Sequence, residues 1–175
     1  MSGTVASACR LIYIIVRCFF RTMALALAIG AGPAASQQPD WEPFGFKESG
    51  FVFEVPPGFE MSQTAETGQG ATFDGPSGAR LAVWGADLER EDFKAQIDSQ
   101  LAQDRKEGWE LTYIRVTADW ASYSGTKEDQ IRYFRAITVC GGRAAVFLFD
   151  YPRSEKIAYD PVVVRLVRSF EAEGC

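Results

Sequence analysis

The sequence predicts an α+β domain in which an antiparallel β-sheet is flanked by helices. Three observations predict it. Runs of apolar or alternating residues, joined by short glycine-rich turns, indicate strands that pair with their neighbours along the chain. Two stretches carry apolar residues at helical spacing, one between groups of strands and one after the last. One strand run, residues 144–149, has no polar residue on either face, so both faces of the sheet must be covered.

Residues 1–36 precede this domain and have the composition of a secretory signal peptide. Three arginines and no acidic residue make the segment basic, an apolar stretch follows, and small residues end it. This pattern predicts cleavage after Ser36 and a mature domain over residues 37–175 that is periplasmic or secreted. No cysteine stands beside the cleavage position, which argues against a lipoprotein.

Two alternatives for this leader remain open. Translation starts at Met23 or nearby, or both apolar patches of the leader form an uncleaved membrane anchor. Arg17 interrupts the earlier patch, and neither patch reaches the roughly 18 to 20 unbroken apolar residues of a spanning helix. The favoured prediction therefore has no stable membrane span after cleavage.

The first strand of the domain is predicted over residues 51–55, where the residues alternate with period two until a pair of prolines ends the strand. The glycine-rich residues 70–85 then raise the question of a phosphate-binding loop. They lack the lysine and the Ser/Thr of a Walker loop and the spacing of a dinucleotide fingerprint. Their centre, "DGPSG", instead predicts a β-hairpin in which Gly75 and Gly78 turn the chain.

The first helix is predicted after this hairpin, because Phe93, Ile97 and Leu101 recur every four residues. Acidic residues come early and basic residues late, as the helix dipole favours, and Gly108 ends the pattern. The charged run in this helix is typical of a solvated face.

The second half of the domain predicts four more strands and a final helix. Two glycines join the last two strands and indicate a hairpin. The final helix is predicted to begin with Asp160 as N-cap and Pro161 at its first position. The predicted strands cover residues 109–117, 120–125, 130–140 and 143–152. The helix face predicted to be buried on the sheet consists of Val163, Leu166, Val167 and Phe170.

This order of elements resembles the PsbP-like α/β/α sandwich family. The likeness is carried by a leader, a strand that ends in "PPGF", a hairpin, one helix, an antiparallel meander and a last helix that closes with "VRLVRSF". The family includes an extrinsic photosystem II subunit, a eukaryotic Ran-binding protein and small bacterial periplasmic proteins of unknown function. The resemblance implies a sandwich fold over most of residues 50–171. It also implies a binding or assembly role, since the family shares no catalytic set.

Composition excludes several classes of function. The chain has 18 basic and 23 acidic residues, so removal of the three leader arginines leaves 15 basic residues and a net charge of −8. An acidic domain is a poor ligand for nucleic acids or anionic membranes. The chain has no histidine, which removes the commonest general base and metal ligand and excludes Ser-His-Asp catalysis. We predict no cofactor, no metal site and no nucleic-acid partner.

Candidate functional residues are few. Asp150 ends the most apolar strand, where it is either a catalytic carboxyl with a raised pKa or a strand-end acid paired with an arginine. Arg132 and Arg135 are three apart and therefore lie on opposite faces of a strand. Arg135 shares its parity with apolar residues, so it either extends to a rim or recognises an anion in a ligand pocket. Trp120 and Tyr123 are candidates to edge the same surface.

Two functions are compatible with these residues. The first is a non-enzymatic periplasmic or secreted module for binding or assembly, which contacts an envelope protein or a small ligand. The alternative is an enzyme that uses carboxylates, tyrosine and arginine on an envelope substrate. The absence of histidine and of catalytic motifs favours the first. An enzyme should show one cleft that holds several groups with perturbed pKa values.

The cysteines predict a disulfide. Cys9 and Cys18 leave with the leader, so the mature domain keeps Cys140 and Cys175. In an oxidising compartment this even pair predicts a bridge that fastens the end of the last helix to the sheet. The alternative is a buried Cys140 with a free Cys175.

Overall fold

The strands of the domain form two antiparallel sheets. In the computed structural model, which describes residues 40–88 and 92–174, ten strands and two helices confirm the predicted α+β class. The predicted leader lies outside the described residues and stays a prediction. The strands are β1 (Glu42–Phe46), β2 (Phe51–Val55), β3 (Glu60–Thr64), β4 (Gly70–Asp74), β5 (Arg80–Asp87), β6 (Glu110–Val116), β7 (Trp120–Lys127), β8 (Gln130–Val139), β9 (Arg143–Pro152) and β10 (Glu171–Ala172). The helices are α1 (Phe93–Lys106) and α2 (Lys156–Ser169).

The large sheet contains seven strands in the order β3-β4-β5-β9-β8-β7-β6. The apolar strand β9 is therefore central, as predicted. Its odd-numbered residues, such as Phe147 and Phe149, face one hydrophobic core, and its even-numbered residues, such as Val146, face a second core. Each face of the sheet consequently needs its own cover.

One face is covered by the small sheet, in the order β1-β2-β10, together with α2. Phe51 and Phe53 of β2 are fully buried there, and the rings of Phe44 and Phe73 meet edge to face with centroids 5.3 Å apart. The sequence predicted β2 but not this second sheet. Its other two strands lack a strand pattern, since β1 contains a proline and a glycine and β10 has two residues.

The opposite face is covered by α1. Phe93, Ile97 and Leu101 are buried against the sheet, as their spacing predicted. The carboxylate of Asp92 caps the helix by accepting a hydrogen bond of 2.7 Å from the backbone N–H of Ala95. The α/β/α arrangement predicted from the sequence is thus present, with the small sheet sharing one outer layer with α2.

The glycine-rich segment forms the predicted hairpin between β4 and β5. Gly78 has a φ of +79°, which only glycine adopts without strain. Gly75 serves a different purpose, since a Cβ there would lie 2.3 Å from the Cζ atom of the Phe59 ring. One glycine turns the chain and the other lets a buried ring approach the backbone.

The start of the last helix was predicted wrongly. It begins at Lys156, so Pro161 lies inside it and Asp160 is no cap but an ion-pair partner of Lys156. Tyr159 anchors the added turn, because its ring is buried and its hydroxyl donates to the carbonyl of Pro76 at 2.8 Å. Pro161 has no backbone N–H to donate to the carbonyl of Ile157, four residues earlier. Both residues are exposed, so water can donate to that carbonyl instead. Within residues 40–88 and 92–174, no helix is long and apolar enough to cross a membrane.

Candidate functional site

The outer strands of the large sheet leave part of one face uncovered. On the side of the small sheet and α2, the registers of β6, β7 and β8 place Arg115, Ser122 and Arg135 in one row. The next residue in that row is Phe147 of β9, which is fully buried. The row therefore runs from the hydrophobic core to solvent. We call the outer surface the open face, which consists of Tyr113, Arg115, Trp120, Ser124, Tyr133 and Arg135, with Ser122 buried among them.

Arg135 stands at the inner border of the open face. It lies on the same face as the apolar residues of β8, as predicted. Its guanidinium carbon is 4.4 Å from the centre of the Trp120 ring, and its Nη1 donates to the hydroxyl of Ser122 at 3.0 Å. Its Nε is buried and has no hydrogen-bond partner among the described residues. A buried donor left unpaired costs free energy, so the site holds Arg135 at some expense.

The charge of Arg135 has no acidic partner among the residues that the structure describes. Burial lowers the pKa of Arg135, and the nearby phenols of Tyr133 and Tyr113 oppose this effect. The group nevertheless stays cationic at neutral pH, because an arginine titrates far above that range. Three other arginines of the domain differ, since Arg80, Arg132 and Arg165 each bind a carboxylate.

A second cation shares the same indole. The guanidinium carbon of Arg115 lies 5.2 Å from the centre of the Trp120 ring, and its side chain is exposed. Stacking on the ring offsets part of the desolvation of each cation, but two like charges near one ring repel each other. An anion bound at either cation would relieve part of that repulsion.

A groove continues the open face towards α2. Its volume is about 330 Å³, and Ser124 and Tyr133 belong both to the groove and to the open face. An ion pair between Lys156 and Asp160 closes the helix side. The groove carries polar groups from both the sheet and the helix. The remaining lining residues include Thr112, Thr126, Ile131, Tyr151, Val163 and Val164.

Tyr123 does not belong to this surface, and its predicted place beside Arg135 is wrong. Trp120 and Tyr123 are three apart in β7, so they point to opposite faces of the sheet. Tyr123 is fully buried against α1, where its ring stacks on Phe134 with centroids 4.4 Å apart. The alternation rule that separated the two arginines of β8 would have separated these two residues as well.

A buried charged network lies behind Tyr123, between the large sheet and α1. Asp104 is 1 % exposed and accepts hydrogen bonds from the hydroxyl of Tyr123 and from Nη1 of Arg132, the latter at 2.8 Å. Arg132 also binds both carboxylate oxygens of Asp150, at 2.9 and 2.7 Å. Its guanidinium carbon lies 4.1 Å from the centre of the Trp109 ring. Asp150 is therefore the arginine-paired acid of the two alternatives.

The network is saturated by its own members. Burial and then the bond to Asp104 raise the pKa of Tyr123 well above its ordinary value. Burial disfavours the charge of Arg132, but its bonds to Asp150 and Asp104 outweigh burial and raise its pKa. Each charged group is thus bound to an opposite charge within the network, with one guanidinium shared by two carboxylates, which is the pattern of a packing element.

Asp104 was missed because the charged run of α1 was assigned to a solvated face. It follows Leu101 by three positions and Ile97 by seven, and this spacing puts it on the buried face of α1. An aspartate in register with an apolar stripe, together with an arginine facing the other way on a predicted strand, was the signal for the ion pair.

The predicted disulfide stays a prediction, because Cys175 lies outside the described residues. Cys140 follows β8 directly. A Cβ atom added to Gly50 would lie 3.6 Å from the carbonyl oxygen of Glu173 and 3.9 Å from the Cγ2 atom of Val139. The neighbours of both cysteines in the chain thus meet at one point of the structure.

Among residues 40–88 and 92–174, no group of three or more Cys, Asp or Glu side chains could hold a metal ion. The open face and the buried network are two clusters of polar and charged side chains in the described part of the domain. The first is cationic and reaches solvent, and the second is buried with its charges paired internally.

No known protein family matches the sequence, and no curated protein is similar enough to count as a relative. Solved structures do share the fold. One is the solution structure of cyanobacterial PsbP (CyanoP) from Synechocystis sp. PCC 6803, with a TM-score of 0.59 at 10 % identity. The match covers 82 % of this chain and 98 % of that one. The predicted PsbP-like sandwich is confirmed as the fold.

A second solved structure with this fold is the Ran-binding protein Mog1p from Saccharomyces cerevisiae. Its TM-score is 0.56 at 9 % identity, over 77 % of this chain and 96 % of that one. A mutant of protein Mog1 matches at a TM-score of 0.56 and 9 % identity, over 76 % of this chain and 96 % of its own. At such identities the likeness concerns the fold.

Proposed function

We propose that this chain, which has the PsbP-like fold, is a non-enzymatic binding or assembly module that contacts an envelope protein through its open face. One observation carries the proposal. The half-buried cation of Arg135 lies beside Trp120 and has no carboxylate partner among the described residues. A charge held without a counter-ion inside a domain is expected to meet that counter-ion on a ligand.

The position of the open face supports a protein partner. It lies at the edge of the sheet and includes Tyr113 of β6, which is 47 % exposed. Tyrosine, tryptophan and arginine are the residue types enriched where proteins bind one another. The likeness in fold to a Ran-binding protein adds support for this class of function.

Binding is favoured over catalysis because of the state of the carboxylates. The alternative function, an enzyme that uses carboxylates, would need an accessible acid in a cleft. Asp104 and Asp150 are instead bound to Arg132, and Asp160, the acid that lines the groove, is paired with Lys156. The signal peptide predicted over residues 1–36 supports an envelope location, which is part of the proposal.

Site-specific photo-crosslinking in the native cell tests this proposal. Tyr113 is replaced by p-benzoylphenylalanine in the full chain, and Met61 is replaced in the same way as a control. Met61 lies on β3, the opposite edge strand of the same sheet, and is 45 % exposed. We expect a reproducible crosslinked protein from position 113 and none from position 61.

Two outcomes would contradict the proposal. The first is equal labelling, or no labelling, from the two positions. The second is turnover of a substrate by the purified protein that Asp150→Asn abolishes without unfolding it. That result would establish the enzymatic alternative.

A further inference from the structure

We propose that the partner presents an acidic, extended peptide segment to the open face, and that Arg135 and Arg115 bind its carboxylates. This inference rests on the proposed binding function and names the chemistry of the partner. It is carried by the arrangement of charge and by the edge position of β6.

The charge of the open face is opposite to that of the domain. The whole chain has a net charge of −5, yet the row through β6, β7 and β8 carries two arginines and no acid. Asp119 lies in the turn before Trp120, and within the described part of the chain it forms no ion pair with either guanidinium. Carboxylates on the partner would give these cations the charge-assisted hydrogen bonds that no acid of the described domain supplies.

The edge strand favours a peptide over a small molecule. β6 is the last strand of the large sheet, so no described strand uses the outer row of its backbone N–H and C=O groups. An extended segment can pair with such an edge and place alternate side chains over the adjoining face.

The β6 edge also has features that disfavour pairing with a second copy of the same strand. A register irregularity lies between Leu111 and Tyr113, and Arg115 places a charge on β6. The charge disfavours a second copy of this strand, which would bring a further arginine to the edge, whereas an acidic segment brings the opposite charge.

Binding of a defined probe tests the inference. The probe is a hexaglutamate peptide with blocked ends, titrated into the isotope-labelled protein at low salt. The readout is the indole N–H signal of Trp120, one of four tryptophans in the chain, which its loss in Trp120→Phe assigns. We expect saturable shifts at Trp120 and at backbone amides of β6 to β8, and no shifts with hexaglutamine.

Substitutions make the test specific. Arg135→Gln should raise the dissociation constant about 10- to 100-fold, because it removes charge-assisted hydrogen bonds. Arg115→Gln should weaken binding less, since its cation is exposed and screened. Arg168→Gln is the matched control, since it removes one exposed positive charge from the last turn of α2 and should leave affinity within about twofold.

The remaining outcomes each decide the question. Equal losses in Arg135→Gln and Arg168→Gln would reduce the effect to net charge and overturn the site. Binding of glutarate or inorganic phosphate as tight as that of hexaglutamate would overturn the peptide. A crosslinked partner from position 113 without hexaglutamate binding would leave the proposed function standing and refute the acidic segment.

Discussion

The packing of Phe170 offers the sharpest test of the fold. This residue follows α2 directly and is 3 % exposed. Its ring meets Phe51 of the small sheet and Phe147 of the large sheet, with centroids 5.5 and 5.1 Å apart. Phe170→Ala therefore removes a contact that joins both sheets to the helix end.

The expected cost follows from that burial. Replacing a buried phenylalanine by alanine costs about 3 to 5 kcal/mol, made up of lost transfer free energy and the cavity left behind. Domains of this size unfold with about 5 to 15 kcal/mol, so the variant should fold but with much reduced stability. A melting temperature lower by roughly 10 to 20 °C corresponds to that loss.

Urea and thermal unfolding, followed by circular dichroism, measure the effect. Ile157→Ala is the matched control, because this residue lies on the same helix and is 89 % exposed. We expect the control to melt within about 2 °C of the parent chain. The packing described above would be refuted by an unchanged melting temperature for Phe170→Ala, or by an equal loss in the control.

Two further predictions concern pH and the cysteines. Burial and then the charge of Asp160 raise the pKa of Tyr151 to about 12, so the folded state keeps a proton that the unfolded chain releases near pH 10. The free energy of unfolding should therefore fall between about pH 10 and 12, by up to about 3 kcal/mol from this group. Urea unfolding of Tyr151→Phe should show a smaller fall over that range, and identical pH profiles for the two chains would contradict the prediction. A bridge between Cys140 and Cys175 should lower the intact mass of the unreduced mature protein by two hydrogens, whereas uptake of two alkylating groups without reductant would exclude it.

Six of the seven strands of the large sheet are predicted from the sequence because the rules for strands are local, whereas β3 was not predicted, since all its residues are exposed and it has no apolar alternation. Strand alternation, the glycine turns and the apolar residues at every fourth position of α1 are patterns over a few residues. The central position of β9 is indicated by apolar residues on both of its faces. The small sheet could not be predicted in this way. β10 is two residues long and is a strand only because the completed domain places it against β2.

The start of α2 shows the same limit. Pro161 is a common first residue of a helix, and local propensity placed the beginning there. Tertiary contact outweighs that preference, because the buried ring of Tyr159 and its bond to Pro76 hold one more turn in helical form. A hydrogen bond between residues so far apart in the chain leaves no mark in local sequence.

The candidate site was half predicted. Parity placed Arg135 among apolar neighbours and raised the choice between a rim position and an anion site. The same alternation in β7 puts Tyr123 on the opposite face from Trp120, so the predicted place of Tyr123 beside Arg135 was wrong. The ion pair between Asp104 and Arg132 needed the docking of α1 on the sheet, which the helix pattern allowed but did not specify.

The pairing of β10 with β2 sets an order of events during synthesis. The two strands lie near opposite ends of the described chain. The ring of Phe170, directly before β10, contacts the ring of Phe51 in β2 only once this last segment is present. A chain that emerges from the ribosome amino end first must therefore keep the apolar rings of β2 without their last cover until residues 170–172 arrive. We expect nascent chains shorter than this to be recognised by chaperones and proteases, and the finished domain to escape them abruptly.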